Sequence, residues 1–184
     1  MNESEIADLC RRIYREHQRA LDLIFEYRPD LQTQVRDIVV NLIRNTSNLR
    51  DNAVQKSYVT FVPEGWRELN LGTTYSWAQQ GYILFFEFQN KPNQLQLFLR
   101  IGPGPLAMRQ ALYDMASQSQ ILKPFQVLGK DYNTIFKRSF LLPKDYQESG
   151  YSALQHKIEE RWQAFVVADL TAIREEVERQ SWKW

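Results

Sequence analysis

Between Leu84 and Ile101 apolar residues alternate with others on both sides of the break Asn90-Lys91-Pro92-Asn93, and this pattern constrains the fold more than any other. Proline presets φ and asparagine tolerates the left-handed region, so Pro92 and Asn93 fit the centre of a turn. The arms, Tyr82 to Gln89 and Leu95 to Ile101, then form an antiparallel hairpin. Leu84, Phe86 and Phe88 share one face with Leu95, Leu97, Leu99 and Ile101, and that face is wholly apolar. Phe85, Glu87 and Gln89 share the other with Gln96, Phe98 and Arg100. This second face mixes aromatic and charged groups, so it is either covered by a helix edge or used for binding.

A sheet with one apolar face needs helices against it, and the flanking sequence supplies them. After Asn2, Glu3 and Ser4, the residues Ile6, Leu9, Cys10, Ile13, His17, Ala20, Leu21 and Ile24 recur at helical spacing, predicting a helix to about Tyr27. Pro29 breaks it and Asp30 caps a second helix. That helix carries Leu31, Val35, Ile38, Val39 and Leu42 inward and ends at Asn45, Ser47 and Asn48. Tyr58 to Val62 is β-branched and aromatic, a strand stopped by Pro63, Glu64 and Gly65. Beyond the hairpin, Gly102 to Pro105 opens a helix to about Ser119 with Met108, Leu112 and Met115 inward, and Thr134 to Leu142 reads as a strand. From Ser152 a stripe of Leu154, Ile158, Trp162, Phe165, Val166, Leu170, Ile173 and Val177 marks the longest helix. The predicted order is ααβββαβα, an α+β fold with an antiparallel sheet, two N-terminal helices and a long C-terminal helix, in a single domain over residues 1–184.

The 184 residues are 43% hydrophobic, 13% aromatic and 24% charged, which supplies a core without disulfides or metals. A net charge of +1 gives no bulk attraction to nucleic acid or anionic lipid. Cys10 is the single cysteine and cannot form an internal disulfide, which suits a reducing compartment, and the early acidic residues with no long apolar run argue against secretion or a membrane partner. The expected location is cytoplasmic.

The common catalytic signatures are missing: no CxxC, HExxH, GxSxG, Walker loop or GxGxxG occurs, and the two histidines are far apart. His17 falls in the apolar stripe of the first helix, the place of a core or boundary histidine, and His156 flanks a buried stripe and is expected in solvent. Arg11, Arg15 and Arg19 form a basic line that suits phosphate contact; Asp8, Glu16 and Asp22 beside it favour a solvated face. The run Arg100-Ile-Gly-Pro-Gly-Pro105 leads into a helix, where Arg100, the amides near Gly104 and Arg109 would suit an anion. Turn geometry explains its glycines and prolines equally, and is the preferred reading. Trp66, Tyr75 and Trp77 suit an aromatic pocket or stacking platform, or simply anchor core and loop.

The phrases IYREHQRALDLIFEYRPDLQ, WRELN, ILFFEFQN and LFLRIGPGP, in this order, resemble the C-terminal part of bacterial proteins of the PD-(D/E)XK nuclease superfamily, over about Ile6 to Phe165. In those proteins an N-terminal core carries the metal-binding carboxylates and the lysine, so the resemblance implies a chain corresponding to the part after that core. The sequence also holds its own imitation of the motif, Pro29-Asp30 and Glu87-Phe-Gln-Asn-Lys91. The family chemistry needs an acid and a lysine two apart on one strand, converging on a divalent metal and its water. Here Gln89 stands where the lysine belongs, and Lys91 lies at the turn.

Three functions follow as expectations. The leading one is a non-catalytic recognition or accessory domain that uses protein contacts, self-association or weak nucleic-acid contacts and takes no cofactor. The second is a metal-dependent nuclease using Asp30, Glu87 and Gln89 or Lys91; the third is a small-ligand binder around Trp66 and Trp77. Across the hairpin, Glu87 faces Gln96, Phe98 and Arg100, which favours a structural salt bridge or hydrogen bond. Trp182 and Trp184 are too large to leave in water and are expected to pack on their own domain or on a second copy.

Overall fold

A computed structural model describes residues 2–26, 30–67, 69, 71, 81–129, 131–148 and 150–182. The chain divides into two compact units, Met1–Asp30 and Leu31–Trp184.

The first unit is helix α1, Glu3–Glu26. Asn2 and Glu5 cap it reciprocally: the Glu5 amide donates to Asn2 Oδ1 and the Asn2 amide to Glu5 Oε2, each at 2.9 Å. The backbone leaves helical values at His17 (φ −124°, ψ 23°). A straight helix spaces residues eight apart by about 12 Å along its axis, whereas the Tyr14 hydroxyl donates to Asp22 Oδ1 at 2.7 Å across this bend. No described side chain of α1 is buried, so His17 and Cys10 are exposed rather than set into a core.

The second unit opens with α2, Leu31–Arg44, which buries Val35, Ile38, Val39, Val40 and Ile43. Leu31 and Leu42 of the predicted stripe are only partly buried. Asn48, at φ 63°, turns the chain into β1, Leu49–Val54. This strand is absent from the predicted order because Arg50, Asp51 and Asn52 are poor strand formers. It holds an edge position where β2, Tyr58–Pro63, supplies the pairing, and a bulge between Asp51 and Ala53 takes up Asn52. A single 3₁₀ turn, Glu64–Trp66, follows.

Strands β3, Leu84–Lys91, and β4, Gln94–Ile101, pair in the predicted parity: Leu84 opposes Ile101, Phe86 opposes Leu99, and Glu87 opposes Phe98. Among the described residues only Asn48 and Gly81 have positive φ, so Asn93 completes its turn without the left-handed region. Helix α3, Leu106–Gln118, leads to β5, Asn133–Leu141. The sheet is an antiparallel meander, β1-β2-β3-β4-β5. A short helix α4, Pro143–Glu148, precedes α5, Tyr151–Ala164.

The C-terminal stripe then takes an unusual step. Leu154, Ile158 and Trp162 are buried at intervals of four, but Phe165 and Leu170 are both buried and five apart. A π-helical turn, Phe165–Leu170, absorbs the extra residue, and Thr171 Oγ1 donates to Val166 O, five residues back, at 3.1 Å. Helix α6, Thr171–Glu178, continues with Ile173 and Val177 inward. Arg138 of β5 pairs with Asp169, in the π turn, and so fixes its outer side. The predicted single long helix is therefore three helical pieces along one line of buried residues.

One core fills the space between the sheet and α2, α3, α5 and α6. Its centre is aromatic: Phe61 stacks on Phe86 at 5.0 Å, Phe88 meets Phe140 edge-on at 4.8 Å, and Trp162 lies 5.5 Å from Phe165. The Trp162 indole N–H donates to Thr46 Oγ1 at 3.0 Å, so this bulky ring leaves no donor unpaired. Trp182 packs against the same core and donates to Val177 O at 3.1 Å, the intradomain outcome expected for it; Trp184 lies outside the described residues. Among the described residues no helix is long and apolar enough to cross a membrane.

Asp145 ties the end of the sheet to α5. It is buried, accepts the Leu142 amide at 2.8 Å and Lys157 Nζ at 2.7 Å, and lies 3.6 Å from Arg161. Burial opposes its charge, but the Leu142 amide, Lys157 and Arg161 together outweigh burial and hold the carboxyl below its ordinary value. Burial, then the charge of Asp145, pushes the adjacent Tyr146 hydroxyl up to about 12. A depressed folded value means that this contribution to stability is complete above the unfolded value and is lost as pH falls through the folded one. Replacing Asp145→Asn should cost on the order of 1–3 kcal/mol at pH 7. In urea titrations the gap between parent and variant should stay constant from pH 7 to about 5, then close below about pH 4.

Candidate functional site

The helices contribute to the core on one side of the sheet, and the chemistry gathers on the other. By strand alternation this outer face takes Tyr58 and Thr60 from β2, Phe85, Glu87 and Gln89 from β3, Gln96, Phe98 and Arg100 from β4, and Thr134 and Lys137 from β5. A small second cluster of Val62, Tyr82 and Phe85 is separate from the main core.

Arg100 organises this face. Its Nη2 reaches Glu87 Oε1 at 3.0 Å, its Nη1 donates to Thr134 Oγ1 at 2.5 Å, and its guanidinium lies 4.3 Å from the centre of the Phe98 ring. Gln89 Nε2 donates to the same Glu87 oxygen at 3.0 Å. Lys137 approaches Phe98 at 5.7 Å. The ion pair is well shielded, with the Arg100 and Glu87 side chains 14% and 17% exposed. Tyr132 meets Phe85 edge-on at 6.1 Å; burial, then the negative charge of Glu87, raises its phenol above the ordinary value.

Beside this network lies an open groove of about 520 Å³ lined by Gln32, Tyr58, Glu87, Gln89, Asn90 and Lys91 among others. Glu87, Gln89 and Lys91, which share one parity, therefore do line one groove. What surrounds Glu87 differs from a metal centre. The carboxylate is already neutralised by a guanidinium, and a divalent ion at the same oxygen would meet that positive charge at close range. Asp30 belongs to the Met1–Asp30 unit and is exposed. Among the described residues, no three His, Cys, Asp or Glu side chains cluster as a metal would need.

The other sequence candidates separate. Arg11, Arg15 and Arg19 lie exposed on α1; Arg11 pairs with Asp8 at 2.5 Å and Arg15 Nε donates to Arg11 O at 3.4 Å, the solvated arrangement. Arg100 and Arg109 are taken up by different partners, Arg100 by Glu87 and Thr134 across the sheet. Arg109 is buried on α3, where it donates to Asp131 O and, at 2.7 Å, to Asn133 Oδ1. Burial lowers the pKa of this guanidinium, and Asp131 counters part of that effect. A Cβ at Gly104 would come within 2.7 Å of Ile83 Cδ1 and one at Gly102 within 3.0 Å of the Phe85 ring, so both glycines leave room for neighbouring side chains. Trp66 is fully buried and stacked on Phe86 at 5.7 Å, a core anchor and not the wall of an open pocket; Tyr75 and Trp77 lie outside the described residues. His156 is exposed, as expected.

Tyr132, Thr134 and Lys137 of the outer face were not among the candidate residues from sequence. For Thr134 and Lys137 the signal was the alternation of β5 against β4, weakened by register shifts between Leu95 and Gln96 and between Leu99 and Arg100; Tyr132 precedes the strand. The chain matches no family model, no curated protein and no solved structure.

Removing the acid should act as a structural lesion. Glu87→Ala leaves a shielded guanidinium without its carboxylate and should lower stability by about 1–3 kcal/mol in urea titrations. Millimolar Mg²⁺ or Mn²⁺ should leave the Tm of the parent unchanged.

Proposed function

We propose that this chain is a non-catalytic recognition or accessory domain, related to the C-terminal part of PD-(D/E)XK nuclease-like proteins, and that the outer sheet face is structural rather than metal-binding. One observation carries the reading: Glu87, the only strand acid in the motif-like run, is held by Arg100 at 3.0 Å and by Gln89 at 3.0 Å. A general base or metal ligand needs an oxygen available to water or a cation in the charge state of the reaction. Here a cross-strand cation draws on that charge, as in structural pairs on other sheets. The Arg100 contact with Phe98 fixes the guanidinium further, since moving it toward a substrate would cost both the ion pair and the ring contact.

The test is cleavage. Plasmid and oligonucleotide DNA incubated with the protein and Mg²⁺ or Mn²⁺ should stay intact, whether single- or double-stranded. Metal-dependent nicking by the parent that disappears in Glu87→Ala would overturn the proposal and make the site a nuclease centre using Glu87 with Gln89 or Lys91.

A further inference from the structure

The connection from α3 to β5, Ser119 to Tyr132, carries four of the seven large apolar residues that are exposed among the described residues of the Leu31–Trp184 unit. Ile121, Phe125, Val127 and Tyr132 are between 42% and 85% exposed, Val127 the most. The other large apolar residues exposed in the described part of this unit, Leu106, Tyr151 and Val167, stand singly on separate elements, as surface hydrophobics commonly do. A group of four within one connection is a different matter, because contiguous apolar surface marks sites of association.

The connection is also firmly held. Ser119 Oγ accepts the amides of Ile121 and Leu122 at 3.2 and 3.1 Å. The Lys123 and Phe125 amides donate to Ile135 O and Thr134 O at 2.9 and 3.0 Å, which lays the segment along the edge of β5. The Asn133 side chain donates to Val127 O at 3.0 Å and accepts from the Gly129 amide at 3.3 Å and from the buried Arg109 at 2.7 Å. Gln126 closes the loop onto Tyr132 O at 2.9 Å. Apolar groups held outward by this many backbone bonds are ordered before any partner arrives, so binding requires little further ordering.

Charge narrows the choice of partner. Between the segment and β5 lies a groove of about 370 Å³ lined by Ile121, Phe125, Ile135 and Phe136 together with Lys123 and Lys137, among others. Neither lysine has an ion pair among the described residues; each lies 5.7 Å from an aromatic ring, Lys123 over Phe125 and Lys137 over Phe98. The one acid in the connection is Asp131, whose charge acts on Arg109. The local field therefore favours carboxylates, while the groove is large enough to admit a bulky side chain. A bilayer would match the charge but would leave such a recess unfilled.

We propose that this groove and its apolar rim dock an acidic segment of a partner protein, with an aromatic or leucine side chain seated between Lys123 and Lys137. The proposal rests on the reading of the chain as a recognition domain and gives that recognition a place and a chemistry.

The experiment is selection of a random dodecapeptide phage library on the full chain, followed by fluorescence anisotropy of the recovered peptides. The recovered peptides should carry net negative charge and an aromatic or leucine anchor. Affinity should fall at least about tenfold with Lys123→Glu plus Lys137→Glu, and by a similar factor with Phe125→Ser plus Val127→Ser. Both variants alter exposed residues, and circular dichroism and Tm should show them folded. The charge-reversed protein should lose most of its salt dependence. Recovery of no binder, of peptides without that composition, or of peptides indifferent to both variants would overturn the proposal, as would saturable binding to phosphatidylserine vesicles alone. Failure here with no DNA cleavage would remove this surface and leave the recognition reading standing; cleavage in the metal assay would remove that reading whatever the peptides do.

Discussion

A slip of one residue between β3 and β4 would turn one strand over against the other: with β3 held, Leu97 and Leu99 would move to the outer face and Arg100 in among the core aromatics. A guanidinium placed there without Glu87 would cost several kcal/mol. The register of this hairpin is thus the constraint on which the unit depends. It places the stacked rings of Phe61, Phe86 and Phe88 where the C-terminal helices pack, and it places Glu87 diagonally across from Arg100 on the opposite face.

Much of this was legible because parity is a local property. The faces of β3 and β4, the buried line from Leu154 to Val177 and the α+β class all follow from spacing alone. The features that spacing did not reveal are those where tertiary context outweighs propensity. In β1 the poor strand formers Arg50, Asp51 and Asn52 are recruited by the free edge of β2, and Arg44 offsets Asp51 at 2.7 Å. The π turn was visible only as an awkward gap of five between Phe165 and Leu170, which a regular helix cannot bury on one line. His17 read as a boundary histidine because an amphipathic stripe implies a core; in α1 that stripe is exposed.

The candidate site was legible in its residues but not in its bonds. Alternation brings Glu87, Gln89 and Lys91 to one groove, and a metal site and a salt bridge look alike at that level. Geometry separates them through the reach of one side chain: Arg100 spans from β4 to both Glu87 and Thr134, joining three strands by one cation. Sequence order could not show this, since Thr134 is remote in the chain and its pairing partner shifts at a bulge. Arg109 shows the same limit of sequence order. A basic residue at the start of a helix suggests an anion, but a buried guanidinium whose donors meet Asp131 O and Asn133 Oδ1 is a brace for a loop.

The two edges of the sheet are handled differently, and the difference bears on the proposed docking surface. The β1 edge is broken by a bulge and carries Arg50 and Asp51, features that discourage strand addition. The β5 edge is instead occupied by the chain itself, through Lys123 and Phe125 at one end and Arg161, which donates to Phe140 O, at the other. The β5 edge is thus occupied where Lys123, Phe125 and Arg161 bond to it, so under the proposal a partner approaching there meets side chains. Those side chains are the apolar and lysine groups that the covering segment holds outward. The device that protects the sheet from edge pairing is also the one that presents a specific surface, and affinity there must come from side-chain complementarity rather than from strand addition.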